Sequence, residues 1–243
     1  MARAMARGWG DPVLCSDSGS GRAAALAQEL GGRAVSNLEV AREADLVVLC
    51  HKPAQLEDVA EELRGTARAV VSVLGDRDLL RVSNSYPDTP VFRFEPNTPV
   101  EVRRGVLLYA GSRGADDALE HEVVALFERL GWVARADENQ LGAAAAVSGV
   151  GPAYLALVVE AQVDAAIRHG LEPDFAARLT AETMAGAAEL LAARGCDTLA
   201  VRREVTSPAG STARGLRVLE AQGLRDAFSE AMDAVDNGGQ VNR

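Results

Sequence analysis

Short apolar runs alternate with amphipathic stretches over the first half of the chain, and the alternation stops near Asp137. Runs rich in valine, leucine and phenylalanine predict strands over 13–16, 33–35, 45–50, 69–74, 91–94, 105–110 and 132–134. Between them, apolar residues at helical spacing predict helices over 21–30, 38–44, 54–63 and 115–130. In the last of these, Leu119, Val123, Val124, Leu126, Phe127 and Leu130 define one buried face. Strand and helix taking turns is the signature of a parallel α/β sheet.

After Asp137 the strand signals end, and alanine-rich helices are punctuated by glycine and proline. Helices are expected over 152–167, 173–194, 198–204, 211–222 and 224–235. The first opens with Pro152, which a first helical turn tolerates, and then stays apolar around most of its circumference. Such a helix must be covered on nearly every side, and the few helices that remain can hardly do so alone. The expectation is an all-α dimerisation domain completed by a second copy, with a self-contained bundle as the alternative. The domains expected are therefore 1–137 and 138–243.

Composition narrows the chemistry. In 243 residues, hydrophobic types make up 48% and aromatics only 4%, so small aliphatic side chains must fill the core and stacking platforms for nucleic acid are not expected. A formal charge of −10 disfavours phosphate backbones and anionic lipid, leaving a small molecule as the expected partner, with no nucleic acid and no membrane. Cys15, Cys50 and Cys196 are odd in number and far apart, which suits reduced thiols rather than a disulfide framework or a metal site. No uninterrupted apolar run approaches the roughly 18–20 residues of a membrane span, and the first ten residues lack the apolar middle of a signal peptide. A cytoplasmic protein is expected.

Two small-residue loops enter helices. The first, over 205–213, contains Thr206, Ser207, Pro208, Ala209, Gly210, Ser211 and Thr212. Free backbone amides at a helix start suit a carboxylate, while an ordinary N-cap by Ser211 or Thr212 would satisfy the same amides internally. The second, over 147–154, contains Ser148, Gly149, Gly151, Pro152 and Tyr154, and reads either as a pocket wall or as a plain turn.

These residues carry a specific resemblance. The stretch from Thr206 to Glu220 resembles the signature of pyrroline-5-carboxylate reductases, and 147–154 is similar to that family's Ser-Gly-x-x-Pro-Ala-Tyr segment. In the α/β half, Cys50, His51, Lys52 and Pro53 stand where the family has a strand ending in Lys-Pro, and Asn37 stands at an adenosine-side contact. Asn97 belongs to a Pro-Asn-Thr-Pro loop like the family's nicotinamide loop, and Leu74 and Gly75 fall in the turn near the same ring. The resemblance implies an α/β, doubly wound (Rossmann-like) N-terminal domain followed by the helical dimerisation domain. It implies reduction of the C=N bond of 1-pyrroline-5-carboxylate to L-proline with NADPH (or NADH), in a homodimer or a higher homo-oligomer built from dimers. Thr212 is the implied catalytic hydrogen-bond donor to the imine. Ser207, Gly210, Ser211, Ser148 and Gly149 are the implied substrate contacts. Cys50, His51, Lys52, Pro53, Asn37, Leu74, Gly75 and Asn97 are the implied cofactor contacts.

Departures from the pattern matter. A doubly wound fold starts with a central strand running into G-x-G-x-x-G, and this sequence starts instead in what resembles the first helix. The expectation is a sheet with a gap, explained by a start placed too late, by a truncated chain, or by a noncatalytic dimeric relative; of these the late start is preferred, because every later element is intact. Ser72 to Asp76 replaces a small-residue turn, and Glu95 stands at a usually apolar position. Ala209 replaces a frequent glycine, which requires a negative φ. Asp17 is the residue type that binds a ribose 2′-hydroxyl, whereas Ser16, Ser18 and Arg22 could accept a 2′-phosphate. A β-hydroxyacid-type dehydrogenase would want a lysine on the helix over 152–167, and none is there.

Overall fold

A computed structural model describes residues 1–238, which divide into two compact units between Gly149 and Val150. The first unit contains α1 (Ala2–Trp9), β1 (Leu14–Cys15), α2 (Arg22–Leu30), β2 (Arg33–Ala34), α3 (Asn37–Glu43), β3 (Val47–Leu49) and α4 (Leu56–Leu63). It continues through β4 (Val70–Ser72), α5 (Leu79–Ser85), β5 (Val91–Pro96), β6 (Gly105–Arg113), α6 (Asp117–Glu128), β7 (Gly131–Arg135) and α7 (Glu138–Ser148). All seven strands expected from the sequence are present with shifted ends. Helices α5 and α7 were not singled out by periodicity; α5 is one short stretch held at its start by the Asp78 carboxylate, which accepts from the Arg81 amide at 2.6 Å.

Strands β3 to β7 form one sheet in chain order. The expected all-parallel sheet is corrected at β6, which runs antiparallel to β5. Only a 3-10 turn, Thr98–Val102, separates the two strands, and a parallel crossover needs roughly a dozen residues, so the chain can only fold back as a hairpin. Helix α6 then supplies the crossover that makes β7 parallel to β6.

Both faces of this sheet are covered, as period-two alternation requires. Val47, Leu49, Val70 and Val91 pack with Leu56, Ala60, Val82 and Tyr86 on one side. Val71, Phe92, Phe94, Leu107 and Tyr109 pack with Met5, Val123, Phe127 and Leu130 on the other. Phe94 stacks on Phe127 at 4.1 Å and on Tyr109 at 4.6 Å, and Trp9 meets Phe127 edge-on at 5.4 Å. Helix α1 thereby belongs to the core as the resemblance implied. A Cβ on Gly8 would stand 2.1 Å from the Val100 carbonyl oxygen, so glycine lets α1 press on the 3-10 turn.

Strands β1 and β2 pair in parallel as a separate sheet, and among the described residues no ladder joins β1 to β3. Val47 donates to Ala69 and Leu49 accepts from Val73 on the β4 side, which turns the backbone groups of Val48 the other way. The expected gap in the sheet is therefore present.

The second unit comprises α8 (Gly151–Arg168), α9 (Pro173–Ala193), α10 (Thr198–Glu204), α11 (Ser211–Ala221) and α12 (Leu224–Gly238). None of the residues of α8, α10 or α11 is buried, and Leu157 and Phe175 are 64% and 58% exposed. Residues 138–168 reach the length and apolarity of a membrane-crossing helix, which corrects the expectation drawn from uninterrupted runs. The apolar string is broken there by Gly142, Ser148, Gly149, Gly151 and Pro152 rather than by charge, since residues 141–159 carry no charged side chain.

Candidate active site

Strands β3, β4 and β5 are parallel, so their carboxyl ends share one edge, where open α/β sheets bind ligands. Cys50, His51, Lys52 and Pro53 follow β3, Leu74 and Gly75 follow β4, and Asn97 follows β5, so seven of the expected cofactor contacts line this edge. Pro53 opens a 3-10 turn, and the Gln55 side chain accepts from the Lys52 amide at 3.3 Å. The Nδ1 atom of His51 lies 2.9 Å from the Lys52 carbonyl oxygen, whereas its Nε2 is buried without a partner among the described residues. That orphaned atom and the exposed Lys52 ammonium suit the polar and anionic groups of a dinucleotide. Beside them, burial pushes the Cys50 thiol up to about 12, which keeps it neutral. Gly75 has open space where a side chain would stand.

Asn97 is only 7% exposed. Its Oδ1 accepts from the Val106 amide at 2.8 Å, and its Nδ2 donates to the Ser148 carbonyl at 2.9 Å. The structure thus brings Asn97 together with Ser148 and Gly149 at the end of α7. The Ser148 hydroxyl itself donates back to Ala144 at 3.1 Å, and the Gly149 amide to Ala145 at 2.7 Å. Asn37 stands in the first turn of α3, after a Ser36–Glu39 capping box, and donates to Glu62 at 2.8 Å.

The β1–α2 loop engages the Asp17 carboxylate with its own backbone. Asp17 accepts from the amides of Gly19, Ser20 and Ala23 at 2.8, 3.1 and 2.8 Å, and from the Ser20 hydroxyl at 2.9 Å. These donors, that of Ala23 foremost, hold its carboxyl down at about 2. Both oxygens serve the loop, while Ser18 and Arg22 stay exposed.

Sequence reasoning missed Arg93 and Glu138. Arg93, 6% exposed in the middle of β5, donates from Nη1 to Glu138 in the first turn of α7, and its Nη2 lies 3.7 Å from Glu95. Glu138 also accepts from the Leu79 amide at 2.8 Å. The available signal was an arginine set between Phe92 and Phe94.

In the second unit, the N-cap of α11 is Gly210 and no side chain caps it, which overturns the internal N-cap by Ser211 or Thr212. Among the described residues the hydroxyls of Ser207, Ser211 and Thr212 have no hydrogen-bond partner, and the Thr206 hydroxyl is buried without one. A Cβ on Gly210 would lie 2.3 Å from the Ser207 hydroxyl, so a side chain there would displace that hydroxyl. The Gly210 amide donates to Ser207 at 3.0 Å, and Arg214 donates to the Ala209 carbonyl at 2.9 Å. Ala209 adopts φ 56°, contrary to the expected negative value: the Gly210 amide closes a turn on the Ser207 carbonyl with Pro208 at its second position, and the third position of such a turn calls for positive φ. Unspent amides and three free hydroxyls at a helix N-terminus can take a small carboxylate.

Comparison with known proteins places this architecture. A family model described as pyrroline-5-carboxylate reductase dimerisation matches residues 138–240, and one described as NADP oxidoreductase, coenzyme F420-dependent, matches residues 1–75. The pyrroline-5-carboxylate reductase of Mycobacterium tuberculosis is 36% identical over 240 residues, covering 88% of this chain and 81% of its own length. That of Synechocystis is 35% identical over 200 residues, covering 82% and 75%. The solved pyrroline-5-carboxylate reductase of Coxiella burnetii superposes with a TM-score of 0.86 at 28% identity, over 98% of this chain and 93% of that one. A Plasmodium falciparum pyrroline carboxylate reductase with NADP bound shares the fold, with a TM-score of 0.83 at 22% identity over 98% and 92%.

Proposed function

This chain belongs to the pyrroline-5-carboxylate reductase family, and we propose that it reduces the C=N bond of 1-pyrroline-5-carboxylate to L-proline with NADPH (or NADH). The observation that carries this reading is the uncapped start of α11, where Ser207, Ser211 and Thr212 keep their hydroxyls free. Ser207 and the amides that follow Gly210, those of Ser211 and Thr212, hold the substrate carboxylate, with Ser148 and Gly149 as further substrate contacts. Thr212 donates a hydrogen bond to the imine nitrogen, which draws electrons from the adjacent carbon and makes it electrophilic. The reduced nicotinamide, when bound, supplies the hydride. Cys50, His51, Lys52, Pro53, Leu74, Gly75 and Asn97 hold the cofactor along the strand edge, and Asn37 its adenosine side. The engagement of Asp17 by its own loop favours NADPH, because no carboxylate oxygen is left for a ribose hydroxyl while Arg22 is open to a phosphate.

The assembly is a homodimer, or a larger homo-oligomer built from dimers. The exposed apolar side chains of α8 and α9 fit an interface between copies better than a membrane span, since α8 carries Glu160 and Asp164. A cytoplasmic location and a small-molecule partner accord with this. The test is steady-state kinetics of Thr212→Ala, expected to lose about 100-fold in kcat, the low end of what a positioned proton donor supplies. Fluorescence titration should show NADPH bound as tightly as by the wild type, and more tightly than NADH. Unchanged kcat would remove Thr212 from the mechanism.

A further inference from the structure

We propose that Arg93 and Glu138 form one end of a two-point clamp that fixes α7 against the β5–β6 hairpin, and so act as positioning residues for the reductase reaction. The inference rests on the reading above that Ser148 and Gly149 contact the substrate. One point is the buried Arg93 guanidinium, which donates to Glu138 in the first turn of α7. Glu138 is held in turn by the Leu79 amide at 2.8 Å, so the first turn is tied to both β5 and α5. The other point is Asn97, whose Nδ2 donates to the Ser148 carbonyl at 2.9 Å while its Oδ1 is fixed by Val106.

The two spacings agree. From Glu138 to Ser148 an α-helix advances about 15 Å. From Arg93 to Asn97 an extended strand advances about 13 Å. A helix pinned at one end to β5 and at the other to the turn that follows it can neither slide along the hairpin nor pivot about either pin. The pinned end is the one that delivers Ser148 and Gly149 beside Asn97, at the cofactor edge of the sheet. Stability alone does not call for this device, because the Glu138 end of the pair is open to solvent, where an ion pair contributes little. Geometry does call for it: misplacing reacting groups by about 1 Å can cost about 100-fold in rate.

The experiment compares wild type, Arg93→Met, Arg93→Lys and Glu138→Gln. Hydrogen exchange is followed in α7, with kcat, KM for the imine and NADPH affinity measured alongside. The clamp predicts faster exchange confined to α7 in Arg93→Met. It predicts a kcat lower by up to about 100-fold, NADPH affinity unchanged, and partial recovery in Arg93→Lys. Should Arg93→Met fail to fold, Glu138→Gln carries the test, since it removes the charge and keeps an acceptor for Leu79. Wild-type exchange in α7 of the soluble variants, or kcat and NADPH affinity falling together, overturns the clamp. Should the wild type reduce no imine, the parent reading fails while the exchange in α7 still decides whether the clamp exists.

Discussion

Glu95 sits at the carboxyl end of β5 with three charged neighbours. Burial is the main reason its carboxyl lies above the usual carboxylate range; Glu138 and Asp76 push the same way, and Arg93 opposes them. Because the folded value exceeds the unfolded one, the contribution of Glu95 to stability is complete at low pH and is lost as pH rises through the folded value. Glu95→Gln should therefore raise the unfolding temperature at pH 7, with the gain shrinking as pH falls toward about 4. A gain that persists undiminished in acid would show that charge is not the cause. Asp17 behaves oppositely: its carboxyl, held at about 2, stabilises the β1–α2 loop at neutral pH, and that support goes as pH drops below about 4. Residue types in the sequence mark Asp17 as a candidate ribose contact, but only the direction of its two oxygens shows that both are taken by its own loop. Arg93 and Glu138 were illegible for another reason: they are 45 positions apart, and nothing in either neighbourhood names the other.

Elements were legible where side chains dictate them. The valine pair of β4 and the valine and phenylalanine run of β5 announce strands through β-branching and burial. Strand direction is not written in such runs, and the reversal at β6 follows from the short turn before it. Helix α5 escaped notice because its Ser83, Asn84 and Ser85 belong as readily to a turn as to a helix. At α11 the sequence marks the start of the helix but not who satisfies its amides. Ala209, at φ 56°, carries a left-handed cost that glycine would not, offset in part by the greater freedom of glycine in the unfolded chain. Ala209→Gly is expected to stabilise by about 0.5–1 kcal/mol in denaturant titration, with the loop before α11 unchanged. A destabilised variant would contradict the strain assigned to this turn.

Across the molecule, the two units record different physical demands. The first buries a sheet on both faces, so its core was readable from alternation. The second leaves Leu155, Leu157, Phe175 and Leu179 exposed in one chain, a surface for which a second copy is the natural cover. Sedimentation should accordingly give a mass of two chains or a multiple of it; a monomer at micromolar concentration would contradict the role given to α8 and α9. The candidate site was legible as small-residue loops and a strand-end Lys-Pro, because glycine, serine and proline are constrained by backbone geometry. The most direct test of the central claim follows NADPH oxidation and proline formation together, with 1-pyrroline-5-carboxylate as substrate. Equimolar NADPH consumed and proline formed is the expected result; no imine-dependent oxidation by the wild-type chain would contradict it.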